Sequence, residues 1–220
     1  MRKKVILKIA LIYPFFVGIF LFLPAGSLCY WEAWLYAVVL IIPMMITANY
    51  LAKHDPALLE RRLKMKEKEE KQKRIVGLFR LPFLLGFLIP GFDYRFNWSE
   101  VPTTLVIIAN GMVFLGYLIV FLVFRENTYT SRIVEVETGQ KVISTGPYSI
   151  VRHPMYAGMI LMFLLTPLAL GSLWGLTIFS FLPVILVFRI LDEEQFLRKE
   201  LPGYSEYCRK VQCRLIPYVW

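Results

Sequence analysis

Cysteine and histidine are scarce in this chain, with three of the former and two of the latter among 220 residues. Cys29, Cys208 and Cys213 are too few and too scattered to read as a disulfide framework. Two histidines offer no cluster with metal-ligand spacing. The glycine-rich dinucleotide fingerprint is absent, as are internal repeats and low-complexity tracts. Charge is thin too, at 19% of residues. What fills the chain is apolar: it is 57% hydrophobic and 15% aromatic, where an ordinary soluble domain is about 45–50% apolar.

The apolar residues fall into runs at 5–24, 30–52, 75–92, 102–124, 156–170 and 173–191. They are continuous rather than alternating, which argues for helices over strands, since a helix satisfies its backbone groups internally. About 20 helical residues cross a hydrocarbon core. The expected fold is therefore an all-α integral membrane protein with five to six transmembrane helices, the last two being short.

Basic charge orients that bundle. With the amino terminus inside, 22 of the 25 Lys and Arg lie on one side, the opposite loops hold only Arg95, and Arg80 and Arg189 sit within the apolar runs. The positive-inside rule then places both termini and the loops at 53–74 and 125–155 in the cytoplasm. The net charge of +9 needs no nucleic acid to explain it. "MRKK" with the following apolar run and "AGS" imitates a cleavable signal, but the run is long for one, so a retained first helix is expected.

Residues 53–74 mix nine basic with five acidic residues and contain no glycine. That composition fits either an amphipathic surface helix or a solvated charged connector. The stretch "GPYSIVRHPMYAG" (146–158) opens with a turn, and His153 precedes Pro154. A residue before proline is pushed out of the helical region while proline suits the first helical turn, so His153 is expected at the N-cap of the fifth helix. Beside Arg152, that terminus is either an anion site or a pair of side chains snorkelling to headgroups. The sixth segment ends in "FRILDEEQFLRKELPGYSEYCRKV", where Arg189 and Glu193 lie four apart on one helical face. They are either a capping pair or a functional pair at membrane depth. The hairpin 155–191 brings both motifs to one surface.

"GPYSIVRHPMYAG" followed by "DEEQFLRKELPGYSEYCRKVQCRLIP" resembles the carboxy-terminal signature of the isoprenylcysteine carboxyl methyltransferases and related membrane phospholipid methyltransferases. The likeness covers roughly residues 125–217 and consists of a GPY turn, an RHPxY, an EExxL and a YxxYxxxV in order. "HDPALLERRLK" looks, more weakly, like the first cytoplasmic connector of bacterial members. The resemblance implies two regions: transmembrane helices one to four in 1–124, with connector 53–74, and a cofactor-binding region in 125–220, with the hairpin and a cytoplasmic tail.

It also implies S-adenosylmethionine as cofactor, in a cytoplasmic pocket formed by the carboxy-terminal half. Gln140, Lys141, Val142 and Ile143 would line it, with Tyr148, His153, Pro154, Met155 and Tyr156 as further contacts. Glu193 would hold the cofactor and Arg189 would orient the substrate. The acceptor would be lipid-like or prenylated, a carboxylate of the isoprenylcysteine type by first choice. A phospholipid amine is the alternative, for which Glu193, Glu194 or His153 would serve as base. Membrane sterol and enone reductases, which use NADPH, share the shape and carboxy-terminal pattern and supply the competing function.

Overall fold

The computed structural model describes residues 12–63, 70–131, 133, 135–137 and 139–220. The beginning of the first expected helix and the middle of connector 53–74 lie outside the described residues. The elements are α1 (Ile12–Ala25), α2 (Trp31–His54), α3 (Pro56–Leu63), α4 (Glu70–Phe96), α5 (Thr103–Glu126), a 3-10 turn (Gly146–Ser149), α6 (Pro154–Ala169), α7 (Leu173–Phe179), α8 (Phe181–Glu200) and α9 (Tyr204–Lys210). No strand occurs among the described residues.

Among the described residues, four stretches are long and apolar enough to cross a membrane: Trp31–His54, Gln72–Phe96, Thr103–Glu126 and Leu173–Glu200. The chain is accordingly an integral membrane protein. Ile12–Ala25 and Pro154–Ala169 are apolar but shorter. One expectation needs correction: the last segment is not short, because α7 and α8 are nearly continuous across Ser180 and together span 28 residues. The charged "DEEQFLRKE" simply extends the apolar helix, being built from good helix formers.

The packing that positions the site is that of α5 against α6. Gly116 and Gly158 face each other so closely that a Cβ on Gly158 would stand 2.6 Å from the Gly116 carbonyl, and one on Gly116 would stand 2.7 Å from Met162. Small residues at such a crossing let backbones approach where lipid supplies no hydrophobic drive.

A second set of contacts ties the far end. Asn110 on α5 donates to the Ala169 carbonyl at 3.0 Å, Tyr30 donates to the Leu170 carbonyl, and Ser172 donates to the buried Asp93 carboxylate. Around them Tyr30, Ala33, Tyr36, Phe87, Val113, Phe179 and Leu182 form the main core. In an apolar surround each of these polar groups costs several kcal/mol if left unpaired, so the bonds fix the α6–α7 corner.

A smaller cluster lies at the opposite end. Leu201, Tyr204, Tyr207, Cys208 and Val211 pack with Val136, Val142, Tyr148 and Leu197. It joins α9 to the irregular segment between α5 and the 3-10 turn. The three cysteines are free.

Candidate active site

α6 starts where the sequence says it should. Pro154 is its first residue, and His153 caps it in a non-helical conformation at φ −123°. The cap is held from outside the helix: the backbone N–H groups of Arg152 and His153 donate to the carbonyls of Cys213 and Arg214, both at 2.9 Å. The tail after α9 thus runs beside the RHP turn.

Arg152 and His153 do not reach toward headgroups. Both are buried, and the anion beside them is an internal one, the buried Glu194. Arg152 Nε donates to Glu194 Oε1 at 2.6 Å, and its Nη1 donates to the carbonyls of Val211 and Gln212. His153 Nε2 lies 3.3 Å from the same Oε1, and Arg214 Nε donates to Oε2 at 3.1 Å. One carboxylate therefore joins α8, the RHP turn and the tail. Among the candidate bases, Glu194 and His153 are bound to each other.

Arg189 and Glu193, one turn earlier on α8, meet through a third group. Arg189 Nε donates to Tyr156 Oη at 2.9 Å, and Tyr156 Oη donates to Glu193 Oε2 at 2.6 Å. The tyrosine on α6 is the bridge of the expected i,i+4 pair.

These side chains surround a cavity of mixed lining, the more polar of two. Of the residues expected at the cofactor, Gln140, Lys141, Val142, Ile143, Tyr148, His153, Met155, Tyr156 and Glu193 all line it, as does Arg189. Pro154 does not: it is buried as the first residue of α6, and its role is to shape the cap. The remaining wall includes residues sequence reasoning gave no role, notably Asn127, Tyr129, Thr130, Tyr204 and Tyr207. The YxxYxxxV spacing is the signal that marked the last two, since it sets Tyr204 and Tyr207 one turn apart.

The tyrosines are neutral fixtures of the wall. Burial pushes Tyr148 up to about 12, against the opposing hydrogen bond from Asn127, and burial likewise raises Tyr204 and Tyr207. Tyr207 donates to the Tyr148 carbonyl at 2.7 Å, and Asn127 donates to Tyr148 Oη at 3.0 Å. The Tyr204 hydroxyl is different: it is buried and has no hydrogen-bond partner among the described residues. A buried hydroxyl without a partner costs roughly 1–3 kcal/mol, so it is a position where a ligand's polar group fits.

A second, larger cavity of about 630 Å³ adjoins the first. Its walls are largely apolar, with Phe79 and Phe83 from α4, Met159 and Phe163 from α6, and Ile185 and Leu186 from α8. Arg62, Arg80 and Arg189 add positive charge. Ser131, Ile133, Met155, Tyr156 and Arg189 border both cavities. The Arg189–Tyr156 pair stands at the junction.

The α5–α8 region, which carries both cavities' shared wall, has known relatives. Residues 104–202 match the model of the phospholipid methyltransferase family. The matched segment is a little under half of the chain and contains the GPY turn, the RHPxY and the EExxL motifs. The chain is also similar to the Delta(14)-sterol reductase of Mus musculus, at 35% identity over 105 residues. That match covers 44% of this chain and 25% of the reductase, so the chain spans about a quarter of the length of that relative.

Proposed function

We propose that the protein transfers a methyl group from S-adenosylmethionine to the carboxylate of a lipid-like, isoprenylcysteine-type acceptor at the cytoplasmic face of the membrane. The observation that carries this reading is the junction of the two cavities at Arg189 and Tyr156, one lined by many polar side chains and the other mainly by apolar ones. The family match and the basic charge on one side of the bundle support the same assignment.

The more polar cavity's chemistry fits the cofactor. Glu193, which lines the cavity, would pair with the cofactor's amino group, the Tyr204 hydroxyl offers a buried polar contact without a partner among the described residues, and Gln140–Ile143 line the wall beside them. The rings of Tyr148 and Tyr156 suit a cation through their quadrupoles. When bound, S-adenosylmethionine supplies a methyl carbon on a sulfonium, and its transfer to an ionised carboxylate moves no proton.

The protein's task is then alignment and exclusion of water. Arg189 orients the acceptor carboxylate, a planar group that a guanidinium matches. Tyr156 keeps Arg189 and Glu193 in register, and the phenylalanines of the larger cavity receive the apolar portion of the acceptor. An amine acceptor would require a base. Glu194 is committed to Arg152, His153 and Arg214, which leaves Glu193 to serve in that case.

The test is mass spectrometry of prenylated thiols and membrane lipids after incubation with isotopically labelled S-adenosylmethionine. A labelled methyl ester is expected. The similarity to a sterol reductase favours one second reading, an NADPH-dependent reductase. Calorimetric titration with each cofactor separates the two, and binding of NADPH without S-adenosylmethionine would decide for the reductase.

A further inference from the structure

We infer that α3 is a strap that shapes the wall of the more polar cavity, with Arg61 and Glu137 as positioning residues for the cofactor. The inference rests on the cofactor reading of that cavity. Its starting point is the segment from Asn127 to Thr145, which supplies much of the wall and whose described residues form neither helix nor strand. Irregular backbone needs partners for its polar groups, and here two carbonyls, those of Thr128 and Ser131, find theirs on α3.

One guanidinium grips the segment at two places. Arg61 Nε and Nη2 donate to the two Glu137 carboxylate oxygens, each at 2.6 Å, while Nη1 donates to the Thr128 carbonyl at 2.9 Å. Glu137 is also the first residue of a turn closed by Gln140. The Gln140 N–H donates to the Glu137 carbonyl at 3.0 Å, and the Glu137 N–H donates to Gln140 Oε1 at 3.0 Å. Gln140 lines the cavity, whereas Arg61 lines neither cavity. The path from Arg61 through Glu137 to Gln140 therefore reaches the site without touching it.

The strap is anchored at both ends. Arg62 Nη1 donates to the Ser131 carbonyl at 3.0 Å, and Asp55 accepts both from the Leu58 N–H within α3 and from the Thr128 hydroxyl. Leu58 and Leu59 are buried against Leu51 and Phe124. A paired fork of two parallel hydrogen bonds fixes orientation as well as distance, which an ammonium does not do.

The test measures three things on purified protein: cofactor affinity by calorimetry, turnover at saturating cofactor, and hydrogen exchange of the 127–145 amides without cofactor. Arg61→Ala and Glu137→Ala should each weaken S-adenosylmethionine binding by about 5- to 20-fold, with turnover at saturation close to wild type. The same amides should exchange faster. Arg61→Lys should fall between, and the charge-swapped Arg61→Glu/Glu137→Arg protein should bind more tightly than either single reversal. Unchanged affinity in the single variants, or a swap no better than its parts, overturns the inference. If the wild type binds NADPH instead, the methyltransferase reading fails while the strap is still judged, because unchanged exchange in cofactor-free Arg61→Ala overturns it whichever cofactor the cavity takes.

Discussion

Tyr156→Phe is the sharpest probe of the junction between the cavities. The substitution keeps the ring and removes one oxygen, which accepts from Arg189 at 2.9 Å and donates to Glu193 at 2.6 Å. A hydrogen bond to a charged group contributes about 1.5–3 kcal/mol. Both partners line cavities where water can replace part of the loss, so the low end applies to each. About 1.4 kcal/mol is one factor of ten in an equilibrium constant. With the proposed roles of Glu193 in cofactor binding and Arg189 in acceptor alignment, cofactor affinity should therefore fall roughly tenfold and turnover by a similar factor, for a combined loss in kcat/KM of about 100-fold. Calorimetry with S-adenosylmethionine and methyl transfer measured on the same detergent preparation read the two separately. Wild-type values of both in the phenylalanine variant would refute the bridge.

Three further outcomes are expected. Arg189→Lys should leave cofactor affinity within about twofold while turnover drops at least tenfold, because an ammonium does not reproduce the guanidinium fork; near-normal turnover would remove Arg189 from acceptor handling. Glu194→Gln should lower stability by about 3–5 kcal/mol, as buried Arg152 loses its counter-charge; a thermal unfolding midpoint equal to wild type would contradict the buried hub. Gly158→Val should cost stability, since a Cβ there meets the Gly116 carbonyl at 2.6 Å, while Gly111→Ala, with open space around it, should be neutral or gain up to about 1 kcal/mol. Equal midpoints for those two proteins would argue against the close crossing of α5 and α6.

Much of this arrangement could be read from the residues in order. Among the described residues the continuous apolar runs are helical, and the Pro154 rule located the start of α6 and the cap at His153. The Arg189–Glu193 spacing correctly put both side chains on one face. What could not be read were contacts between distant segments. Nothing local marks Tyr156 as the link between Arg189 and Glu193. Glu194 was one of several candidate bases until the fold set Arg152, His153 and Arg214 around it. The segment 127–145 has no helical or strand period, and its Arg61 partner lies 76 positions away from Glu137. The length of α8 was underestimated for a different reason: hydropathy ends with the last apolar residue, whereas the helix continues through charged residues of high helix propensity.

On the proposed function, the two adjoining cavities would also set the units in which the reaction is counted. A cofactor that enters the more polar chamber arrives from water, and its occupancy follows moles per litre. An acceptor that enters through the more apolar chamber arrives from the bilayer, and its occupancy follows its mole fraction among lipids. Adding inert lipid at constant acceptor and enzyme would thus slow the reaction, whereas diluting the whole vesicle suspension at fixed cofactor would leave the rate per enzyme unchanged. On the proposed function, the wall shared by Met155, Tyr156 and Arg189 would join two reactants whose concentrations belong to different phases.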